Sequence, residues 1–152
     1  MTLLDRALCL PMLVALTACA ASPEAAERFV PIEDAVADWG DLELSHTALR
    51  LHAFEGQMDL QYAGRMPDSA GEELAGGTVY RIKNPDRYYR QNGQNTRLCA
   101  GPPRWVVVNS RTGAPAWSGE IWVALLTLED WSGYSPGRDY FCGGGRYVRA
   151  TE

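Results

Sequence analysis

Gly133-Tyr134-Ser135-Pro136-Gly137 has the G-x-S-x-G spacing of a nucleophile elbow, where a serine attacks a carbonyl carbon and backbone N–H groups receive the oxyanion. The requirements of that chemistry fail one by one. The oxyanion hole needs the N–H of the residue after the serine, and Pro136 has none. The general base should follow the serine in chain order, whereas His46 and His52 both precede Ser135. A chain of 152 residues is also short for the fold that carries this motif. A Ser-Pro-Gly turn accounts for the segment. Gly71-Glu72-Glu73-Leu74-Ala75-Gly76-Gly77-Thr78 approaches the spacing of a phosphate loop, but Gly77 stands where lysine is required and two glutamates would face the phosphates. It reads as a glycine-rich turn ahead of a strand. His46 and His52, the 2 histidines of the chain, have no H-x-H or HExxH spacing, so Asp41, Glu43 and Glu55 nearby do not make them a metal centre. They read as partly exposed residues at a hairpin. Glu72-Glu73 and Glu129-Asp130 are adjacent acid pairs. Neighbours on a strand point to opposite faces, so neither pair by itself flanks a scissile bond. The sequence assigns no catalytic residue, no metal ligand and no cofactor.

Charge is distributed more tellingly. Residues 19–77 hold three Arg against twelve acids, a net charge of −9. Residues 78–111 hold Arg81, Lys83, Arg87, Arg90, Arg97, Arg104 and Arg111 against Asp86 alone, a net charge of +6. Residues 112–152 return to −2. The basic segment also carries Tyr80, Tyr88, Tyr89 and Trp105. Guanidinium groups among aromatic rings suit phosphates, anionic glycans or an acidic protein partner. The competing explanation is internal: basic strands pairing with acidic neighbours. Asn92-Gly93 is the preferred centre of a two-residue hairpin turn, which would make Tyr88–Gln91 and Gln94–Leu98 an exposed polar ribbon. Arg81, Arg87, Tyr88, Tyr89 and Arg90 are the candidate ligand-binding residues on that reading. Nucleic acid is not an expected partner, because the chain as a whole carries a net charge of −5.

The elements that must position these residues are strands. Leu42-Glu43-Leu44 alternates, Ser45-His46-Thr47 interrupts, and Leu49–Ala53 resumes with shifted parity, as a hairpin turn would produce. Met58–Tyr62, Thr78–Lys83, Trp105–Val108 and Gly145–Arg149 read as further strands, and Ile121–Leu128 is apolar on both faces, as a doubly covered strand would be. The 15 Gly and 9 Pro fall mostly between these runs. Pro31–Trp39 reads as a short helix with Ile32, Val36 and Trp39 on one face. About seven strands without a long helix predict an all-β fold, an antiparallel meander closed or nearly closed into a small barrel, with a β-sandwich as the alternative. Closure would remove the edge strands that so short a sheet otherwise exposes.

The amino terminus reads as an address. Ala7–Leu16 is an apolar stretch of about ten residues, too short to span a membrane, and small residues follow it, as in a secretory leader. Leu16-Thr17-Ala18-Cys19 resembles the lipobox of bacterial lipoproteins. That resemblance implies cleavage before Cys19, lipid on its thiol, acylation of the new amino terminus and attachment to a membrane. Residues 1–18 are then a lipoprotein signal peptide, 19–30 an Ala/Glu/Ser/Pro-rich tether, and 31–152 a single β domain. Ala20, where an aspartate would favour retention at the inner membrane, implies the outer membrane, facing the periplasm. With Cys9 lost with the leader and Cys19 lipidated, Cys99 and Cys142 are left to form a disulfide in the oxidising envelope. Such a bond closes a loop of about 44 residues and contributes about 4 kcal/mol by chain entropy. A two-cysteine metal site would need further ligands at short spacing, and neither Cys has a second Cys or a His within five residues.

In class the chain looks like the small lipidated β-barrel proteins of Gram-negative envelopes, such as the membrane-bound lysozyme inhibitors, although those typically carry a Cys early in the barrel and this chain has none between Cys19 and Cys99. The expectation is a non-enzymatic envelope lipoprotein whose β domain binds an anionic envelope glycan or an acidic protein. The alternatives are a lysozyme-inhibitor-like protein, a wall-glycan hydrolase or lyase using an Asp/Glu pair, and a structural subunit that buries an apolar surface.

Overall fold

The computed structural model describes residues 25–93, 98–110, 117, 119–137 and 141–151; the leader, Cys19, Arg97, Arg111 and residues 94–97 of the expected ribbon lie outside the described residues. Eight antiparallel strands follow one another round a closed barrel. They are β1 Glu27–Pro31, β2 Leu42–Leu44, β3 Ala48–Leu51, β4 Met58–Arg65, β5 Thr78–Ile82, β6 Trp105–Ser110, β7 Glu120–Leu126 and β8 Phe141–Arg149. A single α-helix among the described residues, α1 Pro85–Gln91, connects β5 towards β6. The meander is closed by β1 against β8, with Phe29 opposite Arg149, Val30 opposite Val148 and Pro31 opposite Tyr147. Closure, rather than the two open layers of a sandwich, pairs both edges of every strand.

Period-two alternation sorts the side chains. Phe29, Leu42, Leu44, Leu49, Leu51, Met58, Leu60, Tyr80, Ile82, Val106, Val108, Ile121, Val123, Leu125 and Tyr147 form one buried cluster drawn from all eight strands. Only the lumen can gather residues from every strand, so this face is the inside of the barrel, filled by side chains. The intervening residues Val79, Val107, Ala124 and Leu126 belong to a second apolar cluster, with Met66, Leu74 and Leu128 from the connections and Trp105, Trp122, Trp131 and Tyr134 packed against it. The chain between β4 and β5 and the chain after β7 therefore fold over the outer wall of β5–β7. This explains why β7 is apolar on both faces: Ile121, Val123 and Leu125 face inward, and Ala124 and Leu126 lie beneath the outer layer.

Several sequence expectations change. The described residues form eight strands, because β1 begins at Glu27, inside the segment assigned to the tether. The short helix is 3-10 and spans Asp34–Trp39. Val36 and Trp39 are buried, but Ile32 is 45% exposed and does not share their face. The expected Tyr88–Leu98 ribbon is replaced over Tyr88–Gln91 by α1. Pro85 at the first turn, Asp86 beside it and Arg90 in the last turn are a consistent set of helix signals. Asn92-Gly93 stops this helix instead of turning a hairpin. The Asn92 amide donates to the carbonyl of Tyr88, Gly93 takes φ of +65° and donates to Arg90, and the Asn92 side chain bonds Tyr88 and Glu55 carbonyls. Cys99 and Cys142 are joined, with 4.7 Å between their Cα atoms, which ties the chain ahead of β6 to the start of β8.

Candidate functional site

On β5, Tyr80 and Ile82 point into the lumen, so Arg81 between them points out, and Lys83, directly after the strand, is exposed as well. Arg81 lies directly across from Trp105 at the start of β6. Both are on the outward face, because Val106 is inward. Cross-strand neighbours of this kind stand side by side, so a guanidinium and an indole share one patch of wall. The indole is fixed: its Nε1–H donates to the Leu128 carbonyl at 2.8 Å. Arg104 precedes Trp105 and is held by both neighbours, accepting from the Ile82 amide and donating to the Leu126 carbonyl. Arg81, Lys83, Arg104, Trp105, Asp86 and Glu129 line a cleft of about 470 Å³. Arg81, Lys83 and Arg104 are all exposed, and among the described residues none of them forms an ion pair.

Internal pairing accounts for other cations. Arg28 bonds Asp41, Arg149 bonds Glu27 at 3.0 Å, and Arg87 bonds Asp59 at 3.3 Å. Arg146 bonds Glu33 and lies 3.5 Å from Glu120, which holds its guanidinium still further above its ordinary range. Only Arg87 of these pairs falls in the basic segment, where pairing was the competing explanation for the clustered charge. Among the described residues of that segment, Arg81, Lys83 and Arg104 of the cleft and Arg90 on α1 are left over.

The five residues singled out from sequence do not converge. Arg81 lines the cleft. Arg87 and Arg90 are exposed on α1, the former committed to Asp59. Tyr89 is half-buried and its hydroxyl donates to the Cys99 carbonyl at 3.4 Å. Tyr88 was expected to be displayed outward and is fully buried at 0% exposure within the luminal cluster. Its correction has the same cause as the lost ribbon: on a helix, one residue in three or four turns inward, and on α1 that residue is Tyr88. Lys83, Arg104 and Trp105, which complete the cleft, were in the basic segment but not singled out. Parity could have found Lys83, since residues 81 and 83 share the face opposite to the apolar 80 and 82; it could not have joined the adjacent residues Arg104 and Trp105 to one cleft.

His46 Nδ1 lies 2.7 Å from Tyr80 Oη, its ring 4.5 Å from that of Trp117, while His52 Nε2 lies 3.1 Å from Glu43 Oε1. The two histidines serve separate contacts, and no group of three metal-ligating side chains occurs among the described residues. Gly133–Gly137 is a turn after the 3-10 helix Trp131–Gly133, with Gly137 at φ of +82°. The Gly71–Gly77 loop closes on itself, with Leu74 and Ala75 amides donating to the Gly71 carbonyl. Glu33, Glu72 and Glu73 border a second cleft of about 310 Å³ with Trp122 and Arg146. There Glu33 accepts from the Arg146 guanidinium with one oxygen and from its backbone amide with the other, so this carboxylate is engaged in holding β8. No known protein family, curated protein or solved structure matches the chain.

Proposed function

We propose that this chain is a lipid-anchored protein of the bacterial cell envelope whose small barrel binds an anionic ligand on its outer wall and performs no chemistry on it. The observation that carries the binding reading is the cleft of Arg81, Lys83 and Arg104, three exposed cations around one concavity without ion-pair partners among the described residues. Unpaired guanidinium groups in a concave site recognise phosphate or carboxylate in a bidentate manner, where an isolated surface cation would not. The envelope reading rests on the apolar leader and the Leu16-Thr17-Ala18-Cys19 lipobox, and the Cys99–Cys142 bond suits the oxidising side of a membrane.

The full-length protein in detergent, titrated with tripolyphosphate by calorimetry, tests the binding half. Binding should weaken steeply with added salt, as screened charge pairs do. The double variant Arg81→Glu/Arg104→Glu should lose about tenfold or more in affinity, while Arg90→Glu on α1 should bind as wild type. No binding, or equal loss in all variants, would remove the cleft from consideration. For the anchor, radiolabelled palmitate should enter the wild-type protein and not Cys19→Ser, which should keep its leader. Label entering Cys19→Ser as well, or absent from both, would end the lipoprotein reading.

A further inference from the structure

We infer that the ligand of this cleft is an anionic sugar, a pyranose bearing a phosphate or carboxylate; this rests on the anion-binding reading and narrows it. The border of the cleft is more than a set of cations. Trp105 is half-buried on its wall, with its one hydrogen-bond donor already given to Leu128. Part of the ring packs against the outer apolar cluster, and the part left exposed is apolar aromatic surface, which a phosphate cannot use and the C–H face of a sugar ring can. Asp86 and Glu129 are exposed on the same border and pair with no cation among the described residues. An ionised carboxylate only accepts hydrogen bonds, so it suits a ligand rich in hydroxyl donors. For an acidic peptide the same two carboxylates are repulsive, and like charges brought together cost affinity. Cations for the acid group, an indole for the ring and carboxylates for the hydroxyls are the three demands of an acidic sugar. A cleft of about 470 Å³ is the size of a small-molecule site.

The acid group has two sources in an envelope, the phosphates of a glycolipid core and the carboxylates of wall sugars. The experiment has an arm for each. Full-length protein in detergent is titrated with a phosphorylated disaccharide, with a muramic-acid-containing disaccharide, with a neutral disaccharide of the same size and with inorganic phosphate. At least one acidic disaccharide should bind about tenfold more tightly than inorganic phosphate or the neutral sugar, and whichever leads names the source. Asp86→Ala/Glu129→Ala should weaken the acidic sugar several-fold while strengthening tripolyphosphate, because it removes hydroxyl acceptors and negative charge together. Both residues are exposed, so the variant is expected to fold; Trp105→Phe provides a second, more conservative probe of stacking. If tripolyphosphate binds through Arg81 and Arg104 but acidic sugars gain nothing over phosphate, the sugar assignment fails and the anion cleft stands. If the double alanine variant strengthens both ligands, the carboxylates are mere repulsion and the assignment fails likewise. If no anion binds at all, both fall together.

Discussion

The hydroxyls of Tyr88 and Tyr147 are buried without a hydrogen-bond partner among the described residues. Burial holds both phenols above their ordinary value of 10.0. The folded chain therefore keeps protons that the unfolded chain releases. The sign follows: this contribution to stability is complete below about pH 10 and is lost as the pH climbs above it. Tyr88→Phe and Tyr147→Phe should each raise unfolding stability by about 1 kcal/mol, since they remove an unsatisfied buried group and keep the ring. Denaturant unfolding at neutral pH checks the gain. The double variant should also resist alkali better than wild type, and an unchanged alkaline midpoint would refute the link between these two phenols and alkaline unfolding. These residues also mark where sequence reading reached and where it stopped. Arg81 and Lys83 were legible as outward because apolar Tyr80 and Ile82 alternate with them. Tyr88 was not, because the choice between a strand ribbon and one short helix over Pro85–Gln91 turns on Asn92-Gly93, and that pair serves a hairpin or a helix stop equally well.

At the scale of elements, the run Gly143-Gly144-Gly145 explains how a helix fits against β8. A Cβ on Gly145 would lie 2.8 Å from Val36 Cγ2, and one on Gly143 would lie 3.0 Å from Trp39 Cζ2. The 3-10 helix Asp34–Trp39 thus rests on bare strand backbone and sends Val36 and Trp39 into the luminal cluster. Gly145→Ala should cost about 1–3 kcal/mol by overpacking. Adding Val36→Ala should return part of that loss, a coupling that a double-mutant cycle measures by denaturant unfolding. Strictly additive losses would mean the two residues do not meet. The same glycines hid the strand they serve: only Gly145–Arg149 carried a readable alternation, although β8 begins at Phe141. β1 was hidden differently. Five residues with one fully buried side chain, Phe29, set among Ala, Glu and Pro, give no pattern distinct from a tether. β2, β3, β6 and β7 were legible because their alternation is supported by packing on the inner face, and in β6 and β7 on the outer face too.

The whole molecule is a barrel of short strands with one covalent cross-link among the described residues. Cys99 and Cys142 are 43 residues apart in sequence, and the half-buried Cys142 packs against the luminal cluster. Replacing both by serine should lower stability by about 4 kcal/mol on the chain-entropy account. Thermal unfolding of the full-length protein in detergent, with and without reductant, checks this; a midpoint indifferent to reductant would contradict it. The closed meander was legible from period-two runs and the need to dispose of edges. The cleft was legible only as a charge imbalance over residues 78–111, since its convergence depends on register across β5 and β6 and on which arginines find acids elsewhere. Closure has a mechanical corollary. β1 is the first strand among the described residues and is hydrogen-bonded on one flank to β2 and on the other to β8. A membrane-held amino terminus would deliver its pull at Glu27, along a strand whose bonds run perpendicular to that pull on both sides. Under such an anchor, tension would be shared as shear across two ladders at once, and the seam that shuts the barrel would double as its mooring.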